Sequence, residues 1–331
     1  MLHKLVSQGL LRAWVFENRD FGFHDPIGTI RRIGGLSPMD APKQQSRIRK
    51  VGIGLVFVLC GLYIAACGFF YVEQDKLTFP VPAQYTKTTP QDAGLNFEDL
   101  HIPVNGSEQI HGWWIPSALA TDLVVLVFHG NGVGIEMSFG ADRALFESTL
   151  LHQLGVNLLM VDYRGYGSSS SNRPSEQHFN EDAQAAYAYL TLQRHIPSRD
   201  VVIFGRSIGT GPATELATHH PESGGLILMS PFTQLSDAGK AIWFLRPLPL
   251  SLLVRNPFDN LSKIGAVRVP VLITVGSEDR IAPPAMSQAL FQKANQPKHL
   301  YIQPGAGHNH LVDIGGKALE AQIGTFLQSL H

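Results

Sequence analysis

The sequence predicts an α/β protein built around a doubly wound, mostly parallel sheet. Short apolar runs, each bounded by Gly, Pro, Asn or Asp, recur along the chain, and such runs are typical of strands buried on both faces. Helical stretches alternate with them, and 331 residues can form one large domain around one sheet. Strands are predicted at 123–128, 156–161, 201–204, 226–229 and 271–275, with a weaker one at 300–302. Helices are predicted at 141–154, 181–192, 210–219, 286–293 and 317–330.

The first 50 residues are predicted to be a weakly structured cytoplasmic extension, because they show no strong period and contain several Gly and Pro. They hold nine Lys or Arg against four Asp or Glu. Residues 51–72 carry no charge, so a net charge of −1 leaves −6 for the remainder (−1 − 5). No basic footprint of a nucleic-acid-binding protein follows from this distribution. We therefore expect no nucleic-acid partner, and the sequence indicates no obligatory protein partner.

Residues 51–72 form an uncharged segment of 22 residues, about 33 Å long as a helix and therefore long enough to cross a membrane. Arg47, Arg49 and Lys50 precede it, whereas Glu73, Asp75 and Lys76 follow. The positive-inside rule then places the N-terminus in the cytoplasm and the rest of the chain outside. We expect the membrane to be a bacterial inner membrane. The alternative is a buried core helix, although the segment lacks a polar stripe.

A second alternative for this segment is a lipoprotein signal. Residues 64–67 resemble the signal-peptidase site in which small residues precede a lipidated cysteine, here Cys67. This would require translation to begin at Met39, because 66 residues otherwise precede Cys67. Either arrangement tethers the chain to a membrane. Cys60 and Cys67 are the only cysteines, so neither a disulfide framework nor a Cys-based zinc site is expected in the folded part.

The folded part is predicted to span residues 73–331 and to begin with an antiparallel hairpin. A Pro-punctuated linker at 79–82 comes first. Apolar and aromatic runs at 95–103 and 109–114 then flank Asn105-Gly106-Ser107, which is typical of a turn.

The strand at 201–204 leads directly into Gly205-Arg206-Ser207-Ile208-Gly209, and a helix follows. A serine between two such glycines, on a sharp strand-to-helix turn, is the arrangement of a nucleophile elbow. The glycines leave room for the strained backbone, and the helix N-terminus favours a developing oxyanion. Ser207 is therefore the predicted nucleophile, and an incidental serine in a Gly-rich turn is the alternative.

A serine nucleophile needs a base and an acid that orients the base, and in this arrangement they follow the serine in the order acid, then histidine. Asp279 lies just beyond the predicted strand 271–275 and is the predicted acid, with Glu278 as the alternative. His308 lies on the loop before the last helix and is the predicted base, with His310 as the alternative.

The oxyanion hole requires two N–H donors. The backbone of Ile208, directly after the nucleophile, is predicted to supply one. The loop after strand 123–128 reads His129-Gly130-Asn131-Gly132, and the backbone of Asn131 is the predicted second donor. The alternative is a flexible loop whose glycines only make a turn. The Gly-rich stretch at 162–167 is not a G-x-G-x-x-G motif before a helix, so we expect it to shape the sheet edge near these loops.

A cap is predicted at about 232–264, where many apolar residues lie between two strands. Such a cap would line an apolar cleft above Ser207. The alternative is that these residues belong to the ordinary core of a helix that covers the sheet.

Five motifs occur along the chain in the order H-G-N-G, V-D-Y-R-G-Y-G, G-R-S-I-G, G-S-E-D-R-I-A-P and G-A-G-H. In this order they resemble the motifs of the single-pass, membrane-anchored α/β-hydrolases, which include the eukaryotic α/β-hydrolase-domain depalmitoylating enzymes and their bacterial relatives. The similarity covers about residues 73–331, and the resemblance implies an α/β-hydrolase fold with Ser207, Asp279 and His308 as its triad. Relatives usually have H-G-N-A-G, and often an Asp two places after the His, where this chain has Gly132-Val133 and His310.

Together these features predict a membrane-tethered serine hydrolase. It would cleave a lipophilic acyl ester or thioester through an acyl-enzyme, and the chemistry requires no metal and no organic cofactor. Two alternatives remain open: a serine peptidase of the same fold, and a catalytically silent binding protein.

Overall fold

The structure is a computed structural model that describes residues 41–81, 88–132, 134–135 and 147–330. Most of the predicted extension 1–50, the end of the predicted linker and the start of the predicted helix 141–154 lie outside these residues. The chain divides into two units between Leu59 and Cys60, a boundary that lies inside the first helix.

Helix α1 (Ala41–Thr78) contains the predicted apolar segment and extends beyond it at both ends. Its stretch from Arg49 to Thr78 is long and apolar enough to cross a membrane. Nearly all side chains between Val51 and Phe69 are exposed, which contradicts the alternative of a buried core helix. The helix continues past Val72 because its last turns pack on the folded domain, where Phe70 and Gln74 are buried.

Within the described part of the chain, eight strands form one sheet in the order β1-β2-β4-β3-β5-β6-β7-β8. Strand β2 is antiparallel to β1 and β4, and the remaining neighbours are parallel, so the predicted hairpin and parallel sheet are both present. The weakest predicted strand extends furthest beyond its apolar run, because its polar ends continue the ladder with β7. The strands are β1 (Glu98–Asn105), β2 (Glu108–Ile115), β3 (Val124–Phe128), β4 (Asn157–Val161), β5 (Val201–Arg206), β6 (Gly225–Met229), β7 (Val271–Gly276) and β8 (Lys298–Gln303).

Helix α8 begins two residues earlier than the sequence pattern predicts, and two further helices begin five or six residues earlier. Helix α3 begins at Glu176 because the Ser175 hydroxyl accepts a hydrogen bond from the His178 N–H and caps the helix. Helix α9 begins at Leu311, and a kink at Gly316 (φ 44°) interrupts it without ending it. The helices after α1 are α2 (Glu147–Gln153), α3 (Glu176–Ala188), α4 (Thr210–His219), α5 (Leu235–Ala241), α6 (Leu250–Leu253), α7 (Asn260–Lys263), α8 (Pro284–Lys293) and α9 (Leu311–Gln328).

The sheet separates two apolar layers, as a doubly wound fold requires. Along β3, Val124, Leu126 and Phe128 face the layer that includes α3, α4 and α8. The alternate residues Val125 and Val127 face the layer that includes α2 and α9. Successive side chains of a strand point to opposite faces of the sheet, and both faces are covered by an apolar layer. The parallel strands are therefore apolar on both faces.

The predicted cap region lies between β6 and β7 and contains α5, α6 and α7. Phe258 and Ile264 are fully buried in the core, as the alternative interpretation expects. Trp243, Phe244 and Leu252 are exposed. The region is therefore part core and part cap.

Candidate active site

Ser207 directly follows β5, a central strand, and has a backbone φ of 50°, which is left-handed and strained for a residue with a side chain. The turn is tight on both sides. A Cβ at Gly205 would overlap the carbonyl of Gly209, and a Cβ at Gly209 would overlap the carbonyl of Phe128. The two glycines are thus required by close backbone approaches, as the sequence predicts, and they leave the Ser207 hydroxyl at the carboxyl edge of the sheet.

Three predicted site residues form a continuous hydrogen-bonded chain at this edge. The His308 Nε2 lies 3.0 Å from the Ser207 Oγ, and the His308 Nδ1 lies 2.7 Å from the Asp279 Oδ2. Asp279 is buried and its other oxygen accepts the backbone N–H groups of Ile281 (2.9 Å) and Ala282 (2.8 Å). With both oxygens engaged, the carboxylate has one orientation and fixes that of the imidazole.

Two loops hold the acid and the base together. The loop after β7 donates the Glu278 N–H to the Ala306 carbonyl (2.9 Å), and the loop after β8 donates the Gly305 N–H to the Ser277 hydroxyl (2.8 Å). Residues distant in sequence thereby meet, because the carboxyl ends of adjacent parallel strands share one edge of the sheet.

Neither alternative residue joins this chain. The Glu278 side chain is exposed, although its neighbour Asp279 is buried. His310 is also exposed, and its Nδ1 lies 3.4 Å from the carboxylate of Asp313. The geometry therefore favours Asp279 over Glu278 and His308 over His310.

The loop after β3 lies against the nucleophile, since a Cβ at Gly130 would lie 3.6 Å from the Cβ of Ser207. The side chain of Asn131 does not point freely into the site. Its amide donates to the carbonyl of Thr78 (2.5 Å), at the end of α1, and its oxygen accepts from the Tyr166 hydroxyl (2.9 Å). An oxyanion contact from Asn131 must then come from its backbone. Ile208 is buried directly after the nucleophile.

A buried carboxylate beneath this loop escaped the sequence analysis. Asp162 is fully buried, accepts the N–H of Ile135 (2.9 Å), and lies 3.3 Å from the His129 Nε2 and 3.7 Å from the His111 Nδ1. Burial opposes its ionisation, but the two histidines hold the pKa of Asp162 below its usual value. Burial also opposes protonation of His111, but Asp162 and Asp99 outweigh it and raise the pKa of His111. The cluster thus ties the H-G-N-G loop to the hairpin.

Arg164, in the same Gly-rich stretch, is buried and pairs with three carboxylates, those of Glu108, Glu181 and Asp182. Burial works against its charge, but these carboxylates raise the pKa of Arg164 above its ordinary value. The stretch therefore shapes the sheet edge, as the sequence analysis expects. Only the aspartate and arginine in the pattern V-D-Y-R-G-Y-G could have signalled these ion pairs.

A cleft of about 790 Å³ opens above Ser207 and His308. This volume lies within the range of about 300–1,000 Å³ typical of small-molecule sites. Its walls are mostly apolar and come from α1, from the cap region, from the loop after β7 and from the start of α9. These wall residues include Phe70, Leu77, Phe232, Leu235, Ile242, Leu245, Leu250, Val254, Ile281 and Val312.

Residues 121–263 match the family described as serine aminopeptidase, S33. An uncharacterised protein of Mycobacterium tuberculosis is 34% identical over 265 residues, which cover 78% of this chain and 89% of that protein. The α/β hydrolase domain-containing protein WAV2 of Arabidopsis thaliana is 29% identical over 268 residues, 75% of this chain and 84% of that one. The human α/β hydrolase domain-containing protein 17B is 34% identical over 196 residues, 59% of this chain and 63% of that one.

Solved structures show the same fold. The esterase Pf2001 of Pyrococcus furiosus superposes with a TM-score of 0.64 at 20% identity, over 75% of this chain and 97% of that one. An α/β hydrolase of Vibrio vulnificus superposes with a TM-score of 0.57 at 19% identity, over 70% of this chain and 81% of that one. At these identities the likeness concerns the fold alone.

Proposed function

This chain belongs to the α/β-hydrolase family, and from that premise we propose that it is a membrane-tethered serine hydrolase that cleaves lipophilic acyl esters or thioesters. One observation carries the proposal. The Ser207 hydroxyl, on a strained elbow, is hydrogen-bonded to His308, which is hydrogen-bonded to the buried Asp279, and this chain of groups lies in an apolar cleft.

The positions of these groups support the following reaction. The Ser207 oxygen attacks the acyl carbonyl while the His308 Nε2 accepts its proton, and Asp279 stabilises the imidazolium through Nδ1. The backbone N–H groups of Ile208 and Asn131 stabilise the oxyanion. The imidazolium then protonates the leaving group, and a water deprotonated by His308 hydrolyses the acyl-enzyme.

The cleft supports a lipophilic acyl group. Its walls are mostly apolar, so an acyl chain bound there would leave water, at a gain of about 0.8 kcal/mol for each CH₂ group. The membrane-length helix α1 supplies part of the same wall through Phe70 and Leu77. A tether that also lines the cleft favours a substrate found near membranes.

A serine peptidase is the second candidate, because the matched family is described as serine aminopeptidase. An aminopeptidase would need acidic groups to bind the substrate's amine. Among the described residues that line the cleft, Asp313 is the one carboxylate, whereas Arg206 and Arg280 are both cationic. The charges of the cleft thus favour the acyl hydrolase.

Labelling with a fluorophosphonate probe tests the nucleophile. Wild type should be labelled and Ser207→Ala should not. Ser230→Ala is a matched control, because Ser230 also follows a strand with φ 50° but is fully buried. If Ser207→Ala labels as strongly as wild type, the chain is not a serine hydrolase of this kind.

A substrate panel tests the reaction class. Acyl esters of rising chain length, a palmitoyl thioester and an aminoacyl anilide would be compared under one condition. We expect kcat/KM to rise with chain length, since each CH₂ group buried in the transition state contributes about 0.8 kcal/mol, roughly fourfold in rate. A preference for the anilide would instead support the peptidase.

The tether is proposed to be a single spanning helix, with the N-terminus in the cytoplasm and the hydrolase domain on the other side. Three basic residues directly before the apolar segment, against Lys76 alone directly after it, support this direction. The lipoprotein alternative predicts a cleaved chain that begins at a lipidated Cys67. A mass difference between wild type and Cys67→Ala would distinguish the two, since a spanning helix predicts only the mass change of the substitution.

A further inference from the structure

The tip of the cap, residues 242–248, exposes an unusual set of apolar side chains. Trp243 is 78% exposed and Phe244 is 57% exposed, and their rings pack edge to face at 5.8 Å. Leu252, on α6 of the cap region, is 82% exposed. Large apolar side chains clustered in this way normally mark a surface that contacts something other than water.

The cap tip lies beside the apolar part of α1. The Tyr63 hydroxyl donates to the carbonyl of Pro247 (2.8 Å). Further along the helix, Gln74 donates to the carbonyl of Leu253 (2.9 Å), and Asp75 pairs with Arg255 (2.7 Å). The cap region therefore runs along α1 from its charged end down to Tyr63.

The level of Tyr63 in the apolar segment determines what surrounds the cap tip. Tyr63 lies nine residues before Val72, about 14 Å along the helix at roughly 1.5 Å per residue. If the membrane surface lay at Tyr63, only residues 51–62 would remain to span it, about 18 Å against a hydrocarbon thickness of about 30 Å. A spanning α1 thus places Tyr63, and the cap tip with it, below the membrane surface.

We propose that the cap tip is immersed in the leaflet next to the hydrolase domain, and that the cleft takes its acyl substrate directly from that leaflet. The inference rests on the membrane-tethered hydrolase proposed above. The exposed Lys240 and Arg246 flank the aromatic pair. Their long side chains can extend to the lipid headgroups.

The cleft is built for entry from this side. Phe70 and Leu77 of α1 line it together with Ile242 and Leu245 of the cap tip. An acyl chain that passes between these two walls stays in apolar surroundings from the leaflet to Ser207. The substrate class is then a lipid-like ester or thioester that partitions into the bilayer.

Depth-dependent quenching of Trp243 tests the immersion. The full chain would be reconstituted in vesicles of phosphatidylcholine with a minor fraction of phosphatidylglycerol, some carrying bromine on the acyl chains. The emission lost in Trp243→Phe reports on Trp243, because the other tryptophans contribute equally to both proteins. We expect this emission to be quenched by brominated lipid and not by aqueous iodide. Quenching by iodide, or by neither agent, would overturn the proposal, since Trp243 would then lie in water or against protein.

Activity in the same vesicles tests entry from the leaflet. Trp243→Ser/Phe244→Ser should raise KM for a long-chain ester in the bilayer at least about tenfold, equivalent to about 1.4 kcal/mol, because both aromatic side chains lose their contact with lipid. Neither residue lines the cleft, so turnover of a water-soluble short-chain ester should not change. Leu192→Ser is the matched control, as Leu192 is 71% exposed but lies near the amino edge of the sheet. An equal KM in the double variant and wild type would contradict entry from the leaflet.

The two proposals fail in different ways. If wild type turns over neither ester, the proposed function is wrong, and the quenching of Trp243 still reports whether the cap tip is immersed. If the short-chain ester is hydrolysed but Trp243 is quenched by iodide, the hydrolase stands and the immersion fails.

Discussion

Replacing Asp279 with asparagine should abolish most of the activity while keeping the shape of the site. One Asp279 oxygen accepts two backbone N–H groups, so the amide oxygen of an asparagine must occupy that position. Its NH₂ group then faces the His308 Nδ1, which must become an acceptor. The His308 proton moves to Nε2, where it can no longer accept the proton of Ser207. By analogy with serine proteases, kcat should fall about 10⁴-fold, or about 5.5 kcal/mol.

The assay is kcat for a short-chain p-nitrophenyl ester, with the melting temperature of each protein measured in the same detergent. Glu278→Gln is the matched control, because it makes the same chemical change one residue away on an exposed side chain. Its activity should stay within about twofold of wild type, since an exposed neutralisation has little effect on a buried site.

The opposite result would refute this reasoning. If Glu278→Gln lost activity while Asp279→Asn kept it, the oriented acid would be Glu278 in the working enzyme. If both kept it, Ser207 would not depend on an oriented histidine at all.

Three further predictions concern the scaffold. Gly209→Ala should lower the free energy of unfolding by about 1–3 kcal/mol or more, because the added Cβ would overlap backbone carbonyls. In the control Gly265→Ala the added Cβ would have ordinary contacts of 3.6 Å, so the free energy of unfolding should stay within about 0.5 kcal/mol of wild type in the same denaturant titration. Arg164→Met should lower the free energy of unfolding by about 3–5 kcal/mol, since three carboxylates lose their buried partner. Arg194→Met breaks a partly exposed pair and should lower the free energy of unfolding by about 1 kcal/mol or less. Equal losses in the two variants would contradict the ion-pair argument. The pKa of His111 is raised, so the stabilisation from its protonated form is complete below pH 6.5 and is lost as the pH rises through the raised value. The melting temperature of wild type should therefore fall with rising pH more than that of His111→Gln. Parallel curves of melting temperature against pH would contradict this prediction.

Much of the fold can be predicted from the sequence because its signals are local. Buried parallel strands are apolar on both faces, so β3 to β7 appear as continuous apolar runs within about two residues of their observed bounds. The elbow at Ser207 is local as well, because the two glycines it needs are its second neighbours in the chain.

Helix starts are predicted less well. The start of α3 depends on one side-chain hydrogen bond from Ser175, and α9 tolerates a kink at Gly316 within its length. The apolar period alone contains neither signal, since capping and kinks do not change which residues are apolar.

The sequence by itself determined the fold class, the nucleophile elbow and the presence of an apolar helix long enough to cross a membrane. Only the tertiary structure shows that Asp279 and His308, and not Glu278 and His310, join the hydrogen-bonded chain to Ser207, because neighbouring residues on a loop differ in the direction of their side chains. It alone brought the cap tip against Tyr63, since that contact joins residues 184 positions apart. Spacing along a chain records local geometry, whereas burial and long-range contacts depend on how the whole chain packs.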